Sequence, residues 1–240
     1  RDIRELNLCD IKQATNLQGI WNEEMFAPWS SNYTVNINAQ MNDWPVRMCN
    51  LVGFDMPIID LVKKISVTGA RTAKDFYGAK GYCAHHNIDL WGLSTPVGAQ
   101  RKGCICYAFW NMSAGWLCRH VWEHYEYTNS KDYLEEIYPI LKGACEFVQD
   151  YLTENEKGQL ITSPSNSPEN EFYYIDADGK KQESMFTEGA TIDFQIIHAL
   201  FTRTAHACKV LDKDARILSC IYSVSFLEHI RAERGVLCGF

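Results

Sequence analysis

The chain has 240 residues, of which 46% are hydrophobic, 12% aromatic and 22% charged, with a formal net charge of -7. That length and balance fit one large globular domain or two small ones. The acidic balance and the lack of any Lys or Arg cluster exclude a sequence-independent nucleic-acid binder, and no apolar run is long enough to span a membrane.

To about Asn38 the chain is irregular and aromatic, as in "NLQGIWNEEMFAPWSSNYTVNIN". A helix is predicted over "DMPIIDLVKKI", with Asp55 as N-cap and Pro57 in the first turn. A second is predicted from Thr68 to a stop at Gly78. Periodicity then fails between Gly81 and Arg101, and a loop that long inside a domain signals function or disorder. A helix is expected from about Cys106 to Thr128. Another follows with apolar positions at 134, 137, 138, 141, 144, 145, 148 and 152, where Pro139 should kink or restart it. After a loop to about Ser184, a last helix is expected from Thr187 to Leu211. No strand pair is predicted. Helical hairpins with alternately short and long connections would gather the long loops at one end, a natural place for a site.

Ten cysteines are scattered without a C-x-x-C pair, several at helical core positions, which favours reduced thiols and, weakly, a cytoplasmic location. Asn32 and Asn111 open glycosylation sequons, a pattern common by chance. The chain begins at Arg1, shows no signal peptide, and is expected to be cut from something longer.

Three stretches carry side chains suited to chemistry. In "NYTVNIN", Asn36 and Asn38 point the same way if the backbone is extended, and two amides on one face orient a water or a carboxylate; Asn is also common in turns. "AHHNIDLW" gathers His85, His86, Asn87, Asp89 and Trp91. Adjacent histidines diverge in most conformations, against a shared metal, whereas polar groups beside an aromatic face suit a sugar. "SPSNSPEN" holds Glu169 among serines and prolines, where it is either a catalytic carboxylate or part of a helix cap. No nucleophilic Ser or Cys motif and no Gly-rich phosphate loop is present.

In order and combination, "NLQGIWN", "NYTVNINAQMNDWP", "HHNIDLWG", "GWLCRHVWEHYEYT" and "ITSPSNSPEN" resemble the catalytic domain of the α-1,2-L-fucosidases, glycoside hydrolase family 95, over roughly residues 8–215. The resemblance implies an all-α fold, here a partial six-hairpin (α/α) toroid of helical hairpins with long active-site loops. It implies hydrolysis of terminal α-linked L-fucose from a fucosylated glycan with inversion, and no cofactor or metal. By the same resemblance Glu169 is the general acid, and Asn36 and Asn38 assist the general base. Thr34, His86, Asn87, Asp89 and Trp91 lie near the pocket, Thr34 where some members carry a histidine.

Three departures accompany it. The family's base is an aspartate in a later motif resembling "FQIDGNFG", which is absent here; Asp193 in "TIDFQII" matches a helix after the acid loop instead. Residues 216–240 no longer resemble the family, so 1–215 is read as partial catalytic domain and 216–240 as divergent or truncated. Gly53 and Asp43 replace an expected acidic and an expected aromatic residue. The chain alone is therefore expected to be inactive, and poorly soluble where missing hairpins would cover its apolar faces. The alternatives are an α-L-galactosidase, another six-hairpin glycosidase, or an inactive helical-hairpin fragment.

Overall fold

The structure, a computed structural model, describes residues 13–18, 22–51, 53–97 and 105–214. The divergent segment expected at 216–240 lies outside the described residues. The described part is mainly helical: α1 (Asn38–Met48), α2 (Met56–Tyr77), α3 (Ser113–Thr128), α4 (Lys131–Tyr151) and α5 (Thr191–Leu211). Helices α2, α3, α4 and α5 pack on one another in sequence, and α1 lies on α3. No helix among the described residues is long and apolar enough to cross a membrane.

Helix α4 shows how these residues build the core. Ser130 Oγ accepts from Tyr133 N at 3.2 Å and caps the start. Leu134, Ile137, Leu141, Ala144, Cys145 and Val148 then fall on one buried stripe, as their spacing predicts. The helix runs through Pro139 as one element, rather than stopping there. The lost backbone bond is local, whereas the apolar stripe is anchored on both sides of the proline.

Residues 56–77 form one helix, not the two expected. The chain stays helical through Ser66 and Val67, and Gly69 in its interior has a packing cause. Cys83 N donates to Gly69 O at 3.3 Å, and a Cβ on Gly69 would collide with the Cys83 carbonyl. Helix interiors disfavour glycine by about 1 kcal/mol against alanine; here that cost lets the following loop lie against the helix. The expected stop is where it was read, with Gly78 left-handed at φ +65°. Asp55 is the residue before α2, but its carboxylate makes no capping bond and reaches other helices instead.

Helix α3 starts at Ser113, later than expected, after a single 3-10 turn at Ile105–Tyr107; α5 starts at Thr191 rather than Thr187. The expectation of no strand pair is corrected by three short antiparallel ladders: β1 (Tyr33–Thr34) with β2 (Asn87–Ile88), β3 (Leu152–Glu154) with β4 (Leu160–Thr162), and β5 (Phe172–Ile175) with β6 (Lys181–Ser184). At two to four residues each, they are too short to show a period of two in sequence.

Connections alternate in length. Only Asn129 and Ser130 separate α3 from α4, whereas residues 78–112 and 152–190 form long excursions. The two long connections leave and re-enter the helices at the same end. Tyr77, which closes α2, packs against Phe147 and Tyr151 near the end of α4. Trp110, just before α3, donates to Asp193 at the start of α5.

Candidate active site

The pairing of β1 with β2 sets Thr34 opposite Asn87, and Val35 N donates to His86 O at 2.9 Å. Two of the sequence-read stretches are thus stitched together by backbone. Their side chains continue the link. Thr34 Oγ1 donates to Asn87 Oδ1 at 3.1 Å, while Asn87 Nδ2 donates to Tyr107 O at 3.2 Å and to His86 Nδ1 at 3.1 Å. An amide nitrogen only donates, so His86 Nδ1 must accept, and the ring proton sits on Nε2. That Nε2 faces Glu169 Oε1 at 3.4 Å. Burial pushes the His86 pKa down to about 4, so the ring is neutral at neutral pH.

Glu169 belongs to a tight turn, not to a helix cap. Asn170 N donates to Ser167 O at 3.0 Å, Pro168 occupies the second position, and Glu169 the third at φ +62°. This is a type II turn, whose third position asks for glycine or asparagine. A glutamate there costs about 1–2 kcal/mol of backbone strain. Asn170 Nδ2 braces the turn by donating to Ser167 Oγ at 3.1 Å and Pro168 O at 2.9 Å. The Glu169 side chain is 49% exposed, opposite a His86 side chain that is 2% exposed. A solvent-facing carboxylate is held over a buried neutral imidazole.

Asn36 and Asn38 follow Thr34 on the same segment, but the chain is not extended between them. Val35–Ile37 turn, and Asn38 is the first residue of α1. Among the described residues no hydrogen bond joins either to Glu169. Asn36 Oδ1, His86 Nε2 and Asn166 Nδ2 are enclosed polar atoms without a hydrogen-bond partner among the described residues. They are three of eleven such atoms there, and one falls on each candidate stretch, leaving hydrogen-bonding capacity there unspent.

Asp89 and Trp91 go elsewhere. Asp89 Oδ1 accepts from Trp91 N at 2.9 Å and Leu93 N at 2.8 Å, tying residues 89–93 into a turn. Lys64 Nζ and Thr68 Oγ1 of α2 bond the Leu90 and Gly92 carbonyls of that turn. Trp91 is 79% exposed and walls a separate cleft of about 520 Å³ with Arg71, Asp75 and Phe76; neither His86 nor Glu169 lines it.

His85 points away from its neighbour, as adjacent histidines should. It bonds the Ser94 carbonyl through Nδ1 at 2.6 Å and Tyr77 Oη through Nε2 at 2.5 Å, and burial lowers its pKa to about 4. Among the described residues no group of three His, Cys, Asp or Glu side chains is placed to hold a metal. The sequence assigns Asp193 no site role, although the structure buries it against Ser165, on the loop that carries Glu169. The available signal was the lone acid of α5, in its first turn.

Comparison with known proteins gives consistent matches. The description "Glycosyl hydrolase family 95 catalytic domain" fits residues 10–230. The chain is 37% identical over 202 residues to "Alpha-L-fucosidase 2" of Arabidopsis thaliana, covering 84% of this chain and 23% of the relative. It is 35% identical over 160 residues to "Probable alpha-fucosidase A" of Aspergillus niger, covering 64% of this chain and 20% of the relative. A 78-residue match at 33% identity to "Probable alpha-fucosidase A" of Aspergillus oryzae covers 32% of this chain and 11% of the relative. The chain therefore spans about a quarter or less of the length of these relatives.

Proposed function

Because the chain belongs to glycosyl hydrolase family 95, we propose that it forms the acid-bearing part of an inverting α-L-fucosidase that acts on terminal α-1,2-linked fucose of a glycan. Glu169 is the general acid, and the observation that carries this role is its strained turn. A chain that places glutamate where glycine is favoured keeps the carboxylate for its position, not for stability. Helices joined by alternating short and long connections support a partial six-hairpin toroid, with the long connections bearing the site.

Inversion needs a second carboxylate across the sugar, roughly 6.5–9.5 Å from the acid, to activate a water. That base belongs to sequence outside this chain, and Asn36 and Asn38 hold the attacking water beside it. Amides do not take a proton at neutral pH, so they orient the water while a carboxylate deprotonates it. Thr34, Asn87 and His86 form the wall behind the acid. The neutral His86 presents an N–H to Glu169 or to a sugar hydroxyl. The partner class is a fucosylated oligosaccharide, whose hydroxyls match the unspent capacity on Asn36, His86 and Asn166.

The alternative substrate is an α-L-galactoside, which differs from L-fucose by one hydroxyl at C6. Thr34 is small and hydrogen-bonded to Asn87, in a place where some family members carry a bulkier histidine. Steady-state kinetics of the full-length protein on paired aryl α-L-fucoside and α-L-galactoside separates the two. We expect kcat/KM to favour the fucoside by at least about tenfold. A reversed ratio assigns the L-galactosidase activity, and turnover of neither overturns the proposal.

A further inference from the structure

The carboxylate of Glu169 has one polar contact among the described residues, the long approach of His86. That contact is too loose to fix an acid to the tolerance that proton transfer needs, so the loop must be held elsewhere. The hold lies four residues upstream. Ser165 Oγ donates to Asp193 Oδ2 at 2.7 Å and accepts from Ala190 N at 3.0 Å. The backbones of Ser165 and Thr187 exchange two hydrogen bonds of 2.8 Å.

Asp193 gathers more than this one residue. It is 1% exposed, accepts from Trp110 Nε1 through Oδ1 at 3.0 Å, and from Thr162 Oγ1 through Oδ2 at 2.8 Å. It thereby ties the residue stretch before α3, the end of β4, the first part of the acid loop and the start of α5. Three donors converge on it and it donates to none, an arrangement that suits an ionised carboxylate and that an amide cannot copy without turning N–H toward a donor. Burial raises its pKa, while the bonds from Ser165, Trp110 and Thr162 pull it back down. The first turn of α5 adds its partial positive charge.

We propose that Asp193 is the positioning residue of the acid loop: by holding Ser165 it fixes where Glu169 presents its proton. This rests on Glu169 being the general acid. Misplacement of a reacting group by about 1 Å costs on the order of 10²-fold in rate. A loosened loop would therefore be felt where protonation limits the reaction, and little where it does not.

The test is the leaving-group dependence of Asp193→Asn in the full-length protein. One substrate is an α-1,2-fucosyl galactoside, whose sugar alkoxide must be protonated as it departs. The other is α-L-fucosyl fluoride, whose fluoride leaves without a proton. We expect kcat on the disaccharide to fall about 10–100-fold with KM little changed, and fluoride turnover to change by less than about threefold. Equal losses on both, or no loss on either, would overturn the proposal. Ser165→Ala should reproduce the split and Ser165→Thr, which keeps the hydroxyl, should restore it; these two decide the matter if Asp193→Asn does not fold. Glu169→Gln run alongside separates the two claims. If it shows no split, the acid assignment fails; if it alone shows one, only the positioning role fails.

Discussion

Glu169→Gln should lower turnover of an α-1,2-fucosylated disaccharide by about 10²–10⁴-fold in the full-length protein. Glutamine keeps the shape of the side chain and its approach to His86, but has no proton to give at neutral pH. The turn adds a second signature. At φ +62° the glutamate pays strain that glycine does not. Glu169→Gly should therefore be as stable as the parent, or more stable by about 1 kcal/mol, in urea unfolding, while losing activity as Glu169→Gln does. Stability and activity falling together would instead make the glutamate a structural residue of the loop.

Asp55→Ala should cost about 3–5 kcal/mol, a large part of the stability of an ordinary domain. Asp55 is 2% exposed and ion-paired with Arg47 of α1; its Oδ2 also accepts from His124 Nδ1 of α3 at 2.7 Å. Arg47 in turn donates to His120 O at 2.9 Å. Three helices meet on one buried charge pair, and removing the carboxylate leaves the buried guanidinium with Asp43, itself raised to about 7, as its remaining acidic neighbour. Replacing both, as Arg47→Met with Asp55→Leu, should be far milder, because no unpaired charge remains. Denaturant midpoints for the single and double variants check this.

The same network shapes stability against pH. Burial raises the Asp55 pKa, but the His124 hydrogen bond and the Arg47 charge outweigh it and leave it lowered. Its stabilisation is present above about pH 4 and is lost as pH falls through the lowered value. Three buried histidines act earlier. Burial lowers His85 and His86 to about 4 and His120 to about 3. Between those values and about 6.5 the unfolded chain binds protons that the folded chain refuses, so acidification destabilises. Asp43, raised by burial to about 7, opposes this by holding a proton in the folded state. Three histidines outweigh it, and the unfolding free energy should fall as pH drops from about 6.5 to 4.5, by roughly 1.4 kcal/mol per unit for each net proton.

Much of the helical frame was legible because burial imposes a period. The α4 stripe from Leu134 to Val148 is readable residue by residue, and Gly78 ends α2 as a left-handed stop should. The reason for Gly69 inside α2 lies in Cys83, fourteen positions away and across a loop, where no local pattern records it. The ladders were invisible for a related reason: β1 and β2 are two residues each and are joined by pairing over more than fifty residues.

At the site, Glu169, His86, Asn87 and Thr34 were singled out from composition and resemblance, and the structure joins them by contact. It also gives particulars that sequence does not carry. The tautomer of His86 follows from which atom of Asn87 faces it. Asp89 reads like a ligand-binding acid but serves its own turn, a common use of aspartate that no single sequence separates from function. Asp193 reads like a helix-start acid and turns out to grip the loop that bears Glu169.

The central claim is that Glu169 protonates a departing sugar while water attacks the opposite face. Proton NMR of the first-formed product tests it most directly. With the full-length protein and an α-1,2-fucosyl galactoside, the earliest free sugar should be β-L-fucose, appearing before mutarotation supplies the α anomer. First-formed α-L-fucose, or no release of fucose at all, would contradict the account.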